Sequence, residues 1–279
     1  MSNRLMGMNL HDPATRAKEL IINRKESGIS RAFSDSLLLA RRNLILLTRF
    51  PTAIVAVVIL PILFFSGFLL TFQQLMAVQE INYVQYLVPI ITLQAMFFTA
   101  MGSAINLASD MNTGMLQRCR AMPISRLAAF GGLAIAYLVR ALITLVILLC
   151  LAHFYGFRFQ GGFFATLGFI ALSLLFAIAA IVGYSVFALV LKKPELVESL
   201  NIVPYAPLLL LSTGFSPREN FPNWLQPIVS NQPVSHTADA LRALANGSDV
   251  FSPLIWSLAW LLGLLTVFTF LATLLYQKG

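Results

Sequence analysis

Four stretches of this chain, 51–72, 86–109, 163–191 and 251–276, hold no Asp, Glu, Lys or Arg. At a helical rise of about 1.5 Å per residue, each can cross a hydrocarbon core of about 30 Å. Two further apolar intervals are less pure. One, 132–155, carries Arg140 in its inner half; the other, 198–214, opens at Glu198 and holds Pro204 and Pro207. Only 11% of the residues are charged and 58% are hydrophobic, with mean hydropathy +0.80. A soluble domain has about a quarter of its residues charged, so lipid must solvate most of these side chains. Lipid leaves no free backbone donor or acceptor unpunished, which restricts the spans to helices or a closed barrel, and runs of this length select helices. The expectation is an all-α integral membrane protein with six transmembrane helices.

The basic residues orient it. Nine precede Pro51; Arg118, Arg120 and Arg126 follow the second span; Lys192 and Lys193 follow the fourth; Lys278 follows the sixth. The opposite side holds Arg158, Arg218 and Arg242. Lys and Arg favour the cytoplasmic side, so both termini are expected inside. The net charge of +8 is scattered over loops rather than gathered on one soluble surface, which argues against nucleic-acid binding. Residues 1–49 lack the early apolar core and small-residue site of a cleavable signal peptide.

Residues 1–29 are polar and are expected to form a flexible cytoplasmic extension; 30–279 form the transmembrane domain. Between them and the first span, Phe33, Leu37, Ala40, Leu44 and Leu47 recur at helical spacing, while Asp35, Arg42 and Arg49 recur seven apart on another face. This pattern suits an amphipathic helix in the membrane interface, or a cytoplasmic extension of the first span; Pro51 favours a break.

The polar island 110–126, DMNTGMLQRCRAMPISR, separates the second and third spans. Asp110, Asn112 or Thr113 can cap a helix start, and Pro123 can end that helix. One reading is a short helix at the cytoplasmic mouth; the other is a basic loop that only sets topology. The second informative stretch is 212–246, broken by Pro217, Pro222, Pro227 and Pro233, with Phe215, Phe221 and Trp224 supplying apolar contact and a helix expected from Val234 to Ala245. Short helices dipping into or resting on the outer leaflet fit this spacing. Ser235, His236 and Asp239 sketch the elements of a hydrolytic site and leave a membrane-embedded lipid-modifying enzyme as the alternative function. No nucleophile elbow accompanies them, and hydrogen bonding within the segment is the preferred reading.

Arg140 can contact an anionic lipid, act as a counter-charge at a gate, or snorkel to the interface; at a helix centre it costs about 2.5–3.5 kcal/mol on insertion scales. Cys119 and Cys150 have no metal-ligand spacing, and no His, Asp and Glu set does either. No phosphate-cradling G-x-x-x-x-G-K-[ST] occurs, and the spans lack the internal acids of an ion-driven carrier. Uphill transport therefore needs work from another subunit, docked on the basic island and the amphipathic entry helix.

Asp110, Gly114, Leu116, Arg120, Met122-Pro123 and Ser125-Arg126, with the outer stretch STGFSP…FPNWLQPIVSNQPVSHTADALRAL, resemble the loop signature and outer segment of type-2 ABC exporter permeases. The resemblance is strongest to the daunorubicin-resistance and mycobacterial complex-lipid exporter permeases, and it runs over the chain after Ser30. It implies a permease that is not itself catalytic, in a bacterial inner membrane, paired with a second permease and two ABC ATPase subunits that hold ATP and Mg. By that resemblance Asp110, Asn112, Gly114, Leu116, Arg118, Arg120, Pro123 and Arg126 couple to the ATPase, and Phe33, Leu37, Arg42, Leu44 and Arg49 belong to the interfacial helix. Phe215, Pro217, Phe221, Trp224, Pro233 and Arg242 fall in the extracellular re-entrant segment. Phe64, Phe65, Met96, Phe97, Phe98 and Arg140 are candidate pathway residues for amphipathic drugs or lipids moved by alternating access, with plain packing or lipid-facing roles as the other reading of the aromatic residues and Met96. The motif departs from the family where a Glu often heads the loop and this chain has Asp110 and Asn112.

Overall fold

The computed structural model describes residues 59, 61–71, 82–114 and 126–278, with the backbone alone at 126–131 and 276–278. Among these residues every regular element is helical. In chain order they are α1 (Pro61–Thr71), α2 (Tyr83–Asn112), α3 (Arg126–Phe154), α4 (Gly162–Leu191), α5 (Pro194–Leu200), α6 (Ile202–Leu210), α7 (Gln226–Asn231), α8 (Pro233–Asn246) and α9 (Phe251–Lys278), with a 3₁₀ turn at Arg218–Asn220. Four helices are long and apolar enough to cross a membrane: α2, the Gly132–Phe154 part of α3, α4, and the Phe251–Leu275 part of α9. The expected interfacial residues Phe33, Leu37, Arg42, Leu44 and Arg49 lie outside the described residues, as does the first half of the expected 51–72 span.

Helix α2 is the centre of the protein. In its most apolar window 78% of residues are buried inside the protein, against 6% in α9, so α2 is surrounded by protein while α9 lies at the edge of the bundle. Asn82 begins α2 by accepting from Gln85 N at 3.4 Å. Around it pack α3, α4, α5 and α8, and α9 leans on α4 and α8. Small residues permit the approach. A Cβ on Gly183 of α4 would stand 3.0 Å from the Phe268 ring of α9, as expected where helices associate by close van der Waals packing rather than by expelling water.

Three boundaries depart from expectation. The second span was placed at 86–109 with Asp110, Asn112 or Thr113 capping a new helix. Instead α2 runs on to Asn112 and these residues end it: Thr113 N and Oγ1 both donate to Ser109 O at 2.9 Å. Residues 103–113 hold no proline or glycine, and Gly114 takes φ +70°, a backbone that suits glycine. Helix α3 is already formed at Arg126, ahead of the expected span, and runs through Gly131 and Gly132; its membrane-length part begins at Gly132.

The third departure is larger. The 198–214 interval, expected to be a fifth span interrupted by its prolines, contains two short helices, α5 and α6, that part at Asn201. Pro204 has no N–H for the Leu200 carbonyl and its ring crowds that oxygen, so one straight helix cannot pass. The Asn201 carbonyl is taken by Tyr184 Oη of α4 at 3.1 Å.

Candidate functional site

At the end of the bundle where α2 begins, the 212–246 stretch folds back onto the spans. Helix α8 starts with Pro233 at its first turn and stops at Gly247, φ +67°. Its buried face, including Val234, Ala238, Leu241 and Ala245, presses on α2, α4 and α9. The turn before α4 locks onto it: Gln160 N donates to Ala245 O at 2.8 Å, and a Cβ on Gly161 would lie 2.7 Å from Leu244 O. Glycine is required by the closeness of these two backbones.

Arg242 is the hub of this end. Its guanidinium donates to Asp239 Oδ1 at 2.8 Å, Thr213 O at 2.9 Å, Gly214 O at 2.5 Å and Tyr86 O at 3.3 Å, and lies 3.8 Å over the Tyr86 ring. Tyr86 Oη donates to Thr213 O at 2.7 Å, and Thr213 Oγ1 to Asp239 at 3.2 Å. The Gln232 side chain donates to Leu211 O. One arginine thus ties α8 and the 211–216 loop to the first turn of α2.

The alternative enzymatic site does not assemble. Ser235 is fully buried, donating to Val229 O at 2.5 Å and accepting from Thr213 N at 3.0 Å. The His236 ring stacks on Trp256 at 6.0 Å and 22°, and Asp239 is committed to Arg242 and Thr213. A hydrolytic triad needs nucleophile, base and acid in one chain of hydrogen bonds, and each of these side chains faces a different partner. Burial lowers the His236 pKa from its ordinary value, with Asp239 opposing. Among the described residues no group of three or more His, Cys, Asp and Glu could hold a metal ion.

Of the other residues at this end, Phe215 stacks on Phe68 of α1 at 4.5 Å. Pro217 precedes the 3₁₀ turn and Phe221 follows it. Trp224 is exposed, and the Pro222 carbonyl beside it accepts from Leu225 N at 2.8 Å.

The Phe215–Phe68 stack continues as a line of rings. Phe68 faces Phe64 at 6.3 Å, Phe64 faces Phe98 at 5.6 Å, and Phe98 and Phe97 both reach Tyr205 of α6, at 5.5 and 5.7 Å. Phe97 and Phe98 then border different cavities. Phe97 joins Phe176, Gly183, Tyr184, Leu208 and Phe268 in an apolar one of about 410 Å³. Phe98 joins Thr99, Gly102, Arg140, Glu198 and Asn201 in a more polar one of about 450 Å³, in the half of α2 that ends at Asn112. Phe65 and Met96, expected on the pathway with them, are fully buried and line neither cavity; Phe65 packs on the Tyr155 ring at 5.4 Å.

In that second cavity Arg140 lies over the Tyr137 ring at 5.6 Å, and Tyr137 Oη donates to Gly102 O at 3.0 Å. Arg140 Nε, Asn201 Oδ1 and Gln94 Oε1 are buried and lack a hydrogen-bond partner. No sequence pattern pointed to Glu198 or Asn201, because they reach the cavity only through the break between α5 and α6.

The coupling residues are divided. Asp110 and Asn112 close α2 and Gly114 turns the chain away from it. Leu116, Arg118, Arg120 and Pro123 lie outside the described residues, and Arg126 is described only as the first residue of α3.

Comparison with known proteins follows the same lines. The profile of the ABC-2 family transporter protein matches residues 71–274. The chain is 28% identical over 229 residues to the daunorubicin resistance ABC transporter permease protein DrrB1 of Streptomyces coeruleorubidus, covering 82% of this chain and 81% of that one. It is 31% identical over 215 residues to the probable doxorubicin resistance ABC transporter permease protein DrrC of Mycobacterium tuberculosis, covering 77% and 78%. It is 26% identical over 272 residues to the putative transport permease ycf38 of Cyanophora paradoxa, covering 91% and 92%.

Proposed function

The chain belongs to the ABC-2 family of transporter proteins, and on that premise we propose that it is the membrane subunit of an ATP-driven exporter of amphipathic drugs or lipids. Permeases of this family are not catalytic; a separate ABC subunit hydrolyses ATP. The reading places the protein in a bacterial inner membrane with six spans, both termini inside, two ATPase copies holding ATP and Mg, and a second permease, the same chain or a related one.

The observation that carries it is the family match over 71–274, with the geometry in support. The Arg242 network closes the protein at the start of α2, while the Arg140 cavity lies toward its other end. Alternating access would exchange these two conditions. In this reading the 110–126 segment transmits closure of the ATPases, the 30–50 helix lies in the interface, and α7 and α8 form the re-entrant pair of the outer leaflet. One helix, α2, extends from Tyr86 at the network to Asn112 at the coupling segment, with Pro89 inside its N-terminal part, and in this reading a push at one end reaches the other along it.

The test is affinity purification of the tagged protein from native membranes in mild detergent, with ATP hydrolysis assayed on the eluate. The expected result is a stoichiometric ATP-hydrolysing partner that is lost when Arg118 and Arg120 are both changed to Glu. A single-chain eluate without ATPase overturns the proposal.

A further inference from the structure

The cavity bordered by Phe98, Thr99, Gly102, Arg140, Glu198 and Asn201 carries more chemistry than a packing defect requires. It brings together α1 at Pro61, α2, α3 at Arg140 and Thr144, and the α5–α6 break. Its walls are mostly apolar, which suits the acyl side of an amphiphile. At one point a guanidinium enters. A buried arginine is ordinarily held by a carboxylate. Here Glu198 lines the same space, and yet among the described residues Arg140 forms no ion pair with it or with any other acid.

The arginine is held in place without being neutralised. Tyr137 supports the guanidinium with its ring and is itself pinned to the Gly102 carbonyl. Gly102 leaves the room: a Cβ there would already stand 3.4 Å from Arg140 Nη1. Arg140 Nε has no partner, and across the cavity Asn201 Oδ1 is an acceptor with none. The unanswered groups are thus a fixed cation with free donor capacity and an acceptor, and the exposed Glu198 carboxylate lines the same space. Their complement is an anionic group flanked by hydrogen-bond donors, attached to an apolar body.

We infer that this cavity is a headgroup site for an anionic amphiphile, in which Arg140 holds a phosphate or carboxylate and Asn201 and Glu198 receive the hydroxyl or ammonium donors beside it. The planar fork of a guanidinium matches either oxyanion. The inference deepens the exporter reading by naming a substrate class and rests on that reading only for the direction of traffic.

The experiment measures equilibrium binding to the purified full-length protein in neutral detergent. The probes are a fluorescent phosphatidylglycerol, the matching diacylglycerol without phosphate, and inorganic phosphate as competitor. Binding needs no ATPase, so its failure leaves the exporter reading standing, and absence of an ATPase partner leaves this one. The expected result is tighter binding of phosphatidylglycerol than of diacylglycerol, a preference reduced about ten- to hundredfold by Arg140→Gln, the factor for one lost charge-assisted hydrogen bond. Gly102→Ile, which keeps the arginine and fills the space before it, is expected to lower phosphatidylglycerol binding as well, and guards against a charge variant that fails to fold. Equal binding of the two lipids, or a preference untouched by both substitutions, overturns the inference. Displacement of the lipid by inorganic phosphate at matched concentration would make this a free-anion site and overturn the assignment to a lipid head.

Discussion

Replacing Arg242 by Met while leaving Asp239 in place separates two accounts of what ties α8 and the 211–216 loop to the start of α2. If the Arg242–Asp239 ion pair did the work, removing either partner would cost the same. The geometry says otherwise. The Asp239 side chain is 44% exposed, so water and salt screen the pair and its contribution falls to at most about 1 kcal/mol. The Arg242 side chain is only 12% exposed and makes three carbonyl contacts that Asp239 does not share. When it is lost, Thr213 O keeps the Tyr86 hydroxyl, but the buried Gly214 carbonyl loses its donor. An orphaned buried carbonyl costs about 1–3 kcal/mol, and loss of the contact with the Tyr86 ring adds about 0.5–1 kcal/mol. Arg242→Met should therefore destabilise by about 2–4 kcal/mol and Asp239→Asn by less than about 1 kcal/mol. Melting in detergent at a fixed scan rate checks the order, which is the useful readout where unfolding is irreversible. A midpoint for Asp239→Asn as low as that for Arg242→Met would refute the reasoning and make the ion pair dominant.

Gly214→Ala should destabilise by about 1–3 kcal/mol through overpacking, because a Cβ there would fall 2.2 Å from Ile90 Cδ1; partial recovery in the double variant with Ile90→Ala checks the cause. His236 carries a pH dependence of definite sign. Its folded pKa lies below the unfolded value near 6.5 because burial disfavours the charged ring, so the unfolded state binds the proton more tightly. Stability from this group is full above pH 6.5 and declines as pH falls from there through the folded value, and melting scans from pH 7.5 to about 5 should show a slope that His236→Gln removes. Gly247→Val should disrupt docking of α8, since its φ of +67° and the 3.1 Å approach to Gly161 Cα leave no room for a branched side chain; faster proteolysis within 212–250 would report it.

The sequence by itself determined what a one-dimensional pattern can carry. Charge-free runs at 86–109, 163–191 and 251–276 reappear as α2, α4 and α9, because in lipid a long apolar segment has no option but to satisfy its own backbone. Pro233 and Gly247 bracket α8 because a missing N–H and a positive φ act locally, whatever surrounds them. The loop signature and outer stretch were likewise enough to indicate the family.

What the tertiary structure decided are relations between elements. Both α2 and α9 are long and apolar enough to cross a membrane, yet one is the buried axis and the other an exposed flank. Asp239 looked like part of a catalytic set with its neighbours at 235 and 236, and the fold instead gives it to Arg242 and Thr213. Whether Arg140 snorkels, pairs or waits for a ligand depends on Glu198 and Asn201, which are brought to its cavity by a break in a helix more than fifty positions away. A charge in a span is visible in sequence, but its partners are fixed only when the helices pack.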